Sequence, residues 1–411
     1  MKNKKKLLNG LRKLILSPFI SQTNTMSKQI GLSEPFIFGQ EYKYIKECLD
    51  TGWVSSAGRF VDLFEDKIAN YTGAKFAIAC SNATSALFIS LKILGVKWDE
   101  EVIVPTLTFI APVNTIKYLG AEPIFMDSDE FCNIDVDKTI EFIESETKFK
   151  NNISYNKKTG KIIRAILPVH VLGNAVDLER LKNICDERNI VILEDASESL
   201  GTIYNETELK GKHTGLVGQM GCISFNGNKI LTSGGGGMII CDDEVYSAKA
   251  SYLTKQAKDD PVNFIHNEIG YNLRLTNIQA ALGLAQMENI ERALKIKKKI
   301  NNFYKENLNL TNGLTLMDSP DYAENNNWLS ALRVEEKIYG ESSSSLIDRL
   351  RNESIEVRPI WKLNHLQKPY LNNQTYKIEK AKELVSNTVC LPSGISLTSE
   401  QLEKIIKVIN G

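Results

Sequence analysis

From Phe76 onward, short uninterrupted apolar runs alternate with longer stretches whose apolar residues recur every three or four positions. The runs 76–80, 102–104, 123–126, 165–169 and 191–193 predict strands, and 84–94, 110–118 and 178–188 predict the helices between them. Strands without polar alternation are buried on both faces, as in a parallel sheet. The order predicts an α/β fold with a doubly wound, mainly parallel sheet. Ahead of it, 42–51 and 61–71 have helical spacing, separated by the loop Thr51-Gly-Trp-Val-Ser-Ser-Ala-Gly58. The polar segment 151–160 reads as a surface loop, and 278–299 as one long helix. From about Asn301 the signals follow an α+β order: helix at 344–351, extended chain at 357–361, helix at 402–409. These patterns predict a large domain over 30–285 and a smaller C-terminal domain over 286–411, after a basic extension at 1–29.

That extension carries Lys2, Lys4, Lys5, Lys6, Arg12 and Lys13, and no acid precedes Glu34. Leu7, Leu8, Leu11, Leu14 and Ile15 share one helical face, while Arg12-Lys13 interrupts the apolar core that a secretory signal needs. Two readings stay open: an amphipathic helix lying on an anionic membrane surface, or a charged tail ahead of an alternative start at Met26. No stretch approaches the roughly 20 apolar residues of a spanning helix. The 411 residues suffice for two or three domains, or one large domain with an appendage. Fifty basic and fifty acidic side chains balance, so charge gives no case for nucleic acid as a partner. Seven cysteines without a CxxC pair read as free thiols of a reducing compartment, which makes the expected location cytoplasmic. The four histidines show no HxxxH or HExxH spacing, so no metal site is expected.

The stretch 221–240 runs as an apolar strand, breaks at Asn226-Gly227-Asn228, presents Lys229, and crosses Gly234–Gly237 into a second apolar strand. A lysine in such a turn is ordinarily a solvated surface residue. Upstream, however, Ile190-Val-Ile-Leu-Glu-Asp195 delivers carboxylates at a strand's C-terminal end, where open α/β sheets bind ligands. An amine and an acid brought to one crevice suit a lysine Schiff base and an acid facing a pyridinium nitrogen, the pyridoxal phosphate arrangement. Ser81-Asn-Ala-Thr-Ser85 opens a helix with small residues, which suits a phosphate. It equally reads as a plain N-cap by Ser81 or Asn82. The Ser224 hydroxyl would add a donor.

Several segments, in order, resemble the fold-type I, pyridoxal phosphate-dependent nucleotide-sugar aminotransferases of the DegT–StrS family. They are Thr51-Gly-Trp-Val-Ser-Ser, Ser81-Asn-Ala-Thr-Ser-Ala-Leu, Pro105-Thr-Leu-Thr-Phe, Pro168-Val-His-Val-Leu-Gly and Glu194-Asp-Ala-Ser-Glu-Ser-Leu-Gly, followed by Ser224-Phe-x-x-x-Lys229, Gly270-Tyr-Asn-Leu-Arg-Leu-Thr and Leu391-Pro-Ser. The resemblance runs from about Ile30 to the C-terminus. It implies a mainly parallel sheet sandwiched by helices with a smaller α+β C-terminal domain, and amino transfer from glutamate to a nucleotide-linked keto sugar. It further implies that Lys229 holds the coenzyme covalently, that Asp195 pairs with the pyridinium nitrogen, and that Phe109 stacks on the ring. Ala83, Thr84 and Ser224 match the phosphate cradle. Asn272 matches an asparagine that reaches the phosphate from the partner subunit, which implies a homodimer with shared sites. Lys229 would then move protons as base and acid, a role helped by a cationic or apolar setting that favours its neutral form. Two departures stand out: Glu198, near the ring's phenolic oxygen, where the family commonly has Gln or His, and Gly235, where it commonly has Glu.

A sugar nucleotide brings a diphosphate, which asks for cations and polar groups beyond those on the coenzyme. Candidates are Arg358, Trp361 and His365, with Trp53, Ser55 and Ser56 in the early loop. Arg358 also reads as one half of a surface ion pair, and Trp361 as a core residue of the small domain. Ser-Phe-Asn-Gly-Asn-Lys, Glu-Asp-Ala-Ser-Glu-Ser and Arg-Pro-Ile-Trp together resemble the branch acting at C4 of UDP-4-keto-6-deoxy-N-acetylhexosamines, on routes to surface glycans. The alternatives are C4 of GDP-4-keto-6-deoxymannose, giving perosamine, or a C3 keto sugar. Related 3-dehydratases carry histidine at the Lys229 position, so lysine argues against them. A nicotinamide-dependent oxidoreductase would need GxGxxG after the first strand, which is missing. A non-catalytic regulator would have no use for Lys229 and Asp195 together.

Overall fold

The computed structural model describes residues 29–308 and 310–411; the two readings of the basic extension fall outside them. Helices α1 (Gln40–Thr51) and α2 (Arg59–Thr72) come first, each stopped by a left-handed glycine, Gly52 and Gly73. The alternation follows: β1 (Phe76–Cys80), α3 (Ala83–Ile93), β2 (Glu101–Pro105), α4 (Ile110–Tyr118), β3 (Glu122–Met126) and α5 (Val136–Ser145). A hairpin of β4 (Thr147–Lys150) and β5 (Ile153–Asn156) leads to β6 (Ile163–Ile166), α6 (Leu178–Glu187), β7 (Val191–Asp195) and the short β8 (Ile203–Tyr204). Next come β9 (Met220–Ser224), β10 (Gly237–Cys241), α7 (Glu244–Thr254), α8 (Asn277–Met287) and α9 (Ile290–Leu308). The remainder comprises β11 (Leu314–Leu316), β12 (Ala323–Glu324), β13 (Ser330–Val334), α10 (Glu336–Tyr339), α11 (Ser343–Asn352), β14 (Arg358–Pro359), β15 (Thr375–Tyr376), α12 (Lys380–Asn387), β16 (Thr388–Leu391) and α13 (Ser399–Asn410).

The main sheet has the order β1-β10-β9-β7-β6-β2-β3-β15. Every pair from β9 to β15 is parallel, and β10 alone runs against its neighbours β1 and β9. The interior strands are apolar because helices cover both faces: every residue of β2 and β9 is buried. A second sheet, β11-β13-β16-β14, is antiparallel. Its core gathers Ile300, Tyr304, Leu332, Leu350 and Ile405, and Ile30 joins it through a bridge to Ile355.

Three expectations need correction. The helix predicted over 278–299 is two helices, with Glu288 and Asn289 between them. Gln286 turns its side-chain amide to the Phe36 carbonyl at 2.8 Å, Glu288 accepts from the Tyr44 hydroxyl, and Asn289 N–H bonds Gln286 O at 2.9 Å. Apolar spacing continues on both sides of this junction, so the pattern alone does not show it. The loop predicted over 151–160 contains β5, paired to β4 through Asn151 and Asn152, both at positive φ. Its polar residues face inward for a reason: Asn156 donates to the Glu101 carboxylate at 2.8 Å. Third, the strand predicted at 165–169 is β6, which starts and ends earlier, at Ile163 and Ile166.

One buried charge stands out in the second half. Lys297 on α9 is 2% exposed, donates to the Trp328 carbonyl at 2.8 Å, and has no carboxylate partner among the described residues. Burial pulls its pKa from 10.5 down to about 7. Between these values the unfolded chain binds a proton that the folded chain does not, so Lys297 lowers stability increasingly as pH falls through that window. Lys297→Met is expected to be more stable than the wild type at neutral pH. The difference should grow by about 1.4 kcal/mol per pH unit as pH falls from about 10 to about 7, then level off. Urea unfolding across this range checks it, and a pH-independent difference would contradict it.

Candidate active site

The reversed strand β10 decides where the reactive groups meet. β7 and β9 run in parallel with Asp195 abreast of Cys222, so both strands end at one edge of the sheet. Because β10 returns antiparallel, the connection 225–236 must turn at that same edge, and it carries Lys229. Across three strands, Ser224, Gly237 and Cys80 stand abreast, which brings the start of α3 to the same place. Gly237 packs directly on that helix: a Cβ there would stand 2.5 Å from the Ala83 amide nitrogen. Asn82 caps α3 by accepting from Ser85 N at 2.8 Å, so the N-cap reading holds for Asn82. The Ala83 and Thr84 N–H groups are left without helical acceptors, at the positive end of the helix dipole. The N-cap and the anion cradle are therefore compatible.

Lys229 is largely buried, with its Nζ 3.3 Å from Glu198 Oε1 and 4.1 Å from the centre of the Trp328 ring. Its neighbours are thus a carboxylate and an aromatic face, not the cationic or purely apolar setting expected from sequence. Glu198 also accepts from Leu172 N at 2.8 Å. Burial pushes the Glu198 carboxyl up, and the Lys229 charge opposes it. Asp195 is buried at the end of β7 and accepts from Ser197 N at 3.0 Å. Burial pushes its pKa up too, while the Ser197 bonds and the Lys229 charge pull it down. Glu194 points to the other face, where Gly215, Val217 and Gly218 N–H groups and His170 Nε2 surround it at 2.6–2.9 Å. His170 Nδ1 accepts from Val176 N, so the ring proton lies on Nε2 toward Glu194. Of the two adjacent acids, Asp195 alone lies at the Lys229 edge.

Phe109 is 53% exposed at the start of α4 and free to cover a ligand. Its loop is held from the C-terminal half: Asn364 bonds the Thr106 and Thr108 carbonyls, and His365 Nδ1 lies 2.6 Å from Thr106 Oγ1. Burial, with Lys382 nearby, lowers the His365 pKa. Trp361 stacks on Trp328 with ring centroids 6.4 Å apart. Arg358 is exposed and paired with Glu356 at 2.8 Å. Trp53 and Ser55 are exposed and Ser56 half-buried, on a loop fixed by Asn277, whose amide donates to Trp53 O and whose N–H donates to Ser55 O. Asn272 is exposed, and no hydrogen bond among the described residues joins it to Lys229, Asp195 or Glu198. Sequence reasoning missed Trp328, Asn277 and Asn364. Asn277 directly follows the capping Thr276 and looked like an ordinary helix start.

A buried amine, a buried acid on the neighbouring strand and open amide donors across a Cβ-free gap suit a flat aldehyde with a phosphate arm. Fold and site together define a pyridoxal phosphate-dependent transferase. The DegT/DnrJ/EryC1/StrS aminotransferase family model matches residues 36–410, and the chain belongs to that family. It is 34% identical to the Bacillus subtilis protein EpsN, which is named as a pyridoxal phosphate-dependent aminotransferase, over 93% of this chain and 96% of that one. It is 35% identical to the GDP-perosamine synthase of Escherichia coli O157:H7, over 93% of this chain and 98% of that one. A crystal structure of a DegT DnrJ EryC1 StrS aminotransferase from Brucella abortus superposes with a TM-score of 0.81 at 26% identity, covering 90% and 95% of the two chains. The chain is a pyridoxal phosphate-dependent nucleotide-sugar aminotransferase.

Gly237 meets the start of α3 backbone against backbone, so no side chain can yield to an added methyl group. Gly237→Ala is expected to weaken coenzyme retention at least tenfold and to lower the thermal midpoint. Equilibrium dialysis against pyridoxal phosphate and a melting curve check it; wild-type retention would show that the gap plays no part in binding.

Proposed function

We propose that this enzyme transfers the amino group of glutamate to C4 of a UDP-4-keto-6-deoxy-N-acetylhexosamine, for the synthesis of a surface-glycan amino sugar. The observation that carries the chemistry is the Lys229 amine, held 3.3 Å from Glu198 beside the buried Asp195. When bound, pyridoxal phosphate supplies an electron sink for the bond broken at the amino carbon. Lys229 would hold the coenzyme through its aldehyde carbon, and its amine is the group that would move a proton at the donor Cα and at sugar C4. Asp195 would face the ring nitrogen, whose positive charge would join the Ser197 bonds and Lys229 in opposing the rise that burial causes in its pKa. Glu198, whose Oε1 lies 3.3 Å from Lys229 Nζ, would face the ring's oxygen. Ala83, Thr84 and Ser224 bind the phosphate, and Phe109 covers the ring and excludes water. The sugar assignment is supported by the motif likeness at 194–199, 224–229 and 358–361. Trp53, Ser55, Ser56, Trp361 and His365 are the proposed substrate contacts, with Arg358 free to leave Glu356 for the diphosphate. Borohydride reduction of the holoenzyme should leave the coenzyme on Lys229, and Lys229→Ala should carry no label.

A second reading, GDP-4-keto-6-deoxymannose, is favoured by the relatives named GDP-perosamine synthase, 33% and 35% identical. The test offers each 4-keto sugar nucleotide with glutamate and identifies the product by NMR. A C4 amine on the UDP-hexosamine, formed at least a hundredfold faster than on the GDP sugar, is expected. Preference for the GDP sugar, or amination at C3, would overturn the assignment and leave the aminotransferase class intact.

A homodimer with shared sites is the accompanying proposal. Its support is the exposed segment before Asn272, where Val262, Phe264 and Ile269 face solvent in the single chain. Lys229→Ala and Asn272→Ala subunits, each inactive, should recover up to a quarter of wild-type activity when mixed, because one site of each hybrid draws both intact residues. No recovery after confirmed subunit exchange would place Asn272 outside the partner's site.

A further inference from the structure

Lys297 is a costly residue to keep. It is buried on α9, far in sequence from the catalytic turn, and an apolar side chain of similar length would fill its place without desolvating a charge. Its bonds converge on one location. Nζ donates to the Trp328 carbonyl at 2.8 Å and lies 3.5 Å from Ser33 Oγ. Ser33 Oγ donates to the Asn228 carbonyl at 3.1 Å, and the Trp328 indole N–H donates to that same carbonyl at 2.6 Å. Asn228 immediately precedes Lys229, and the Trp328 ring is the surface on which the Lys229 amine rests. The Lys297 amine therefore closes a loop of hydrogen bonds around the turn that carries Lys229. Lys297 and Lys229 also line one small cavity, with Ser33, Thr232 and Gln286 between them.

We infer that Lys297 is a positioning residue: from α9 it fixes Trp328 and Ser33, and through them the orientation of the Lys229 amine. The inference rests on the reading of Lys229 given above. Two side chains, Ser33 and Trp328, bond the Asn228 carbonyl, and Lys297 is joined to both of those residues. Loss of its amine frees the Trp328 carbonyl and Ser33 together, while each of those residues keeps its own bond to Asn228. The turn then persists with a looser seat for Lys229, so chemistry slows and substrate binding does not.

The test uses Lys297→Met, Trp328→Phe and the double variant, with the full chain and coenzyme. Borohydride mapping comes first. Label on a residue other than Lys229 would defeat the reading of Lys229 itself; label on Lys229 leaves the inference to the following measurements. Lys297→Met is expected to lower kcat at least tenfold with KM within twofold. In the coenzyme-free protein, acetylation of Lys229 by acetic anhydride, followed by mass spectrometry, should change at least threefold while the exposed Lys43 reacts as before. In the Trp328→Phe background, which lacks the indole N–H, the same change should have less than a third of its effect on kcat. Wild-type kcat, unchanged Lys229 acetylation, or an equal effect in both backgrounds would overturn the inference. If Lys297→Met does not fold, Lys297→Leu, which likewise lacks a donor, is put through the same cycle with the same criteria.

Discussion

The contact between Gly237 and the first amide of α3 is the constraint on which the site depends. Backbone meets backbone there, with no side chain to adjust. That approach holds β10 against β1, and β10 in turn fixes where the Lys229 turn leaves β9. The start of α3, Ser224 and the turn that carries Lys229 are thereby brought to one edge of the sheet. Asp195 joins them because β7 pairs with β9 in a register that ends both strands together. The buried Asp195 comes from a strand, the amine from a turn and the anion donors from a helix, and a single reversed strand brings all three together.

Electrostatics at the edge is balanced, not biased. Glu198 and Asp195 are both desolvated, which disfavours their charge, and Lys229 offsets that for both. Removing Lys229 leaves two desolvated acids that repel one another without their shared cation, and an unpaired charge in a buried setting costs more than a pair. Glu194 avoids the competition by turning away into a cage of N–H groups. Two neighbouring acids on one strand thus serve opposite faces, as the twofold alternation of a strand requires.

The parallel strands were legible in the sequence because burial on both faces leaves uninterrupted apolar runs. That the amine and the acid meet could be read from their spacing around strand ends, and the helix start at Ala83 from the small residues and Asn82 that open it. The hairpin after α5 was not legible, because its inward residues are polar and bond to a buried acid. The junction at Glu288 was hidden because helical spacing continues across it. Lys297 lies in the run Lys295-Ile-Lys-Lys-Lys299, which reads as a solvated face, and only tertiary placement singles out one of its lysines. Trp328 and Asn277 matter for the carbonyls they reach, which no local pattern encodes.

The last strand of the main sheet, β15, comes from residues 375–376 and pairs with β3, some 250 positions earlier. Ile30 similarly pairs with Ile355. During synthesis neither pairing can form until most of the chain has left the ribosome. Until then β3 is an open parallel edge, able to pair with another strand. Such distant pairings slow folding and lengthen the time for which an unfinished sheet is exposed to aggregation. A truncation just short of Thr375 would remove no residue assigned to the chemistry, yet it would leave that edge uncovered for good.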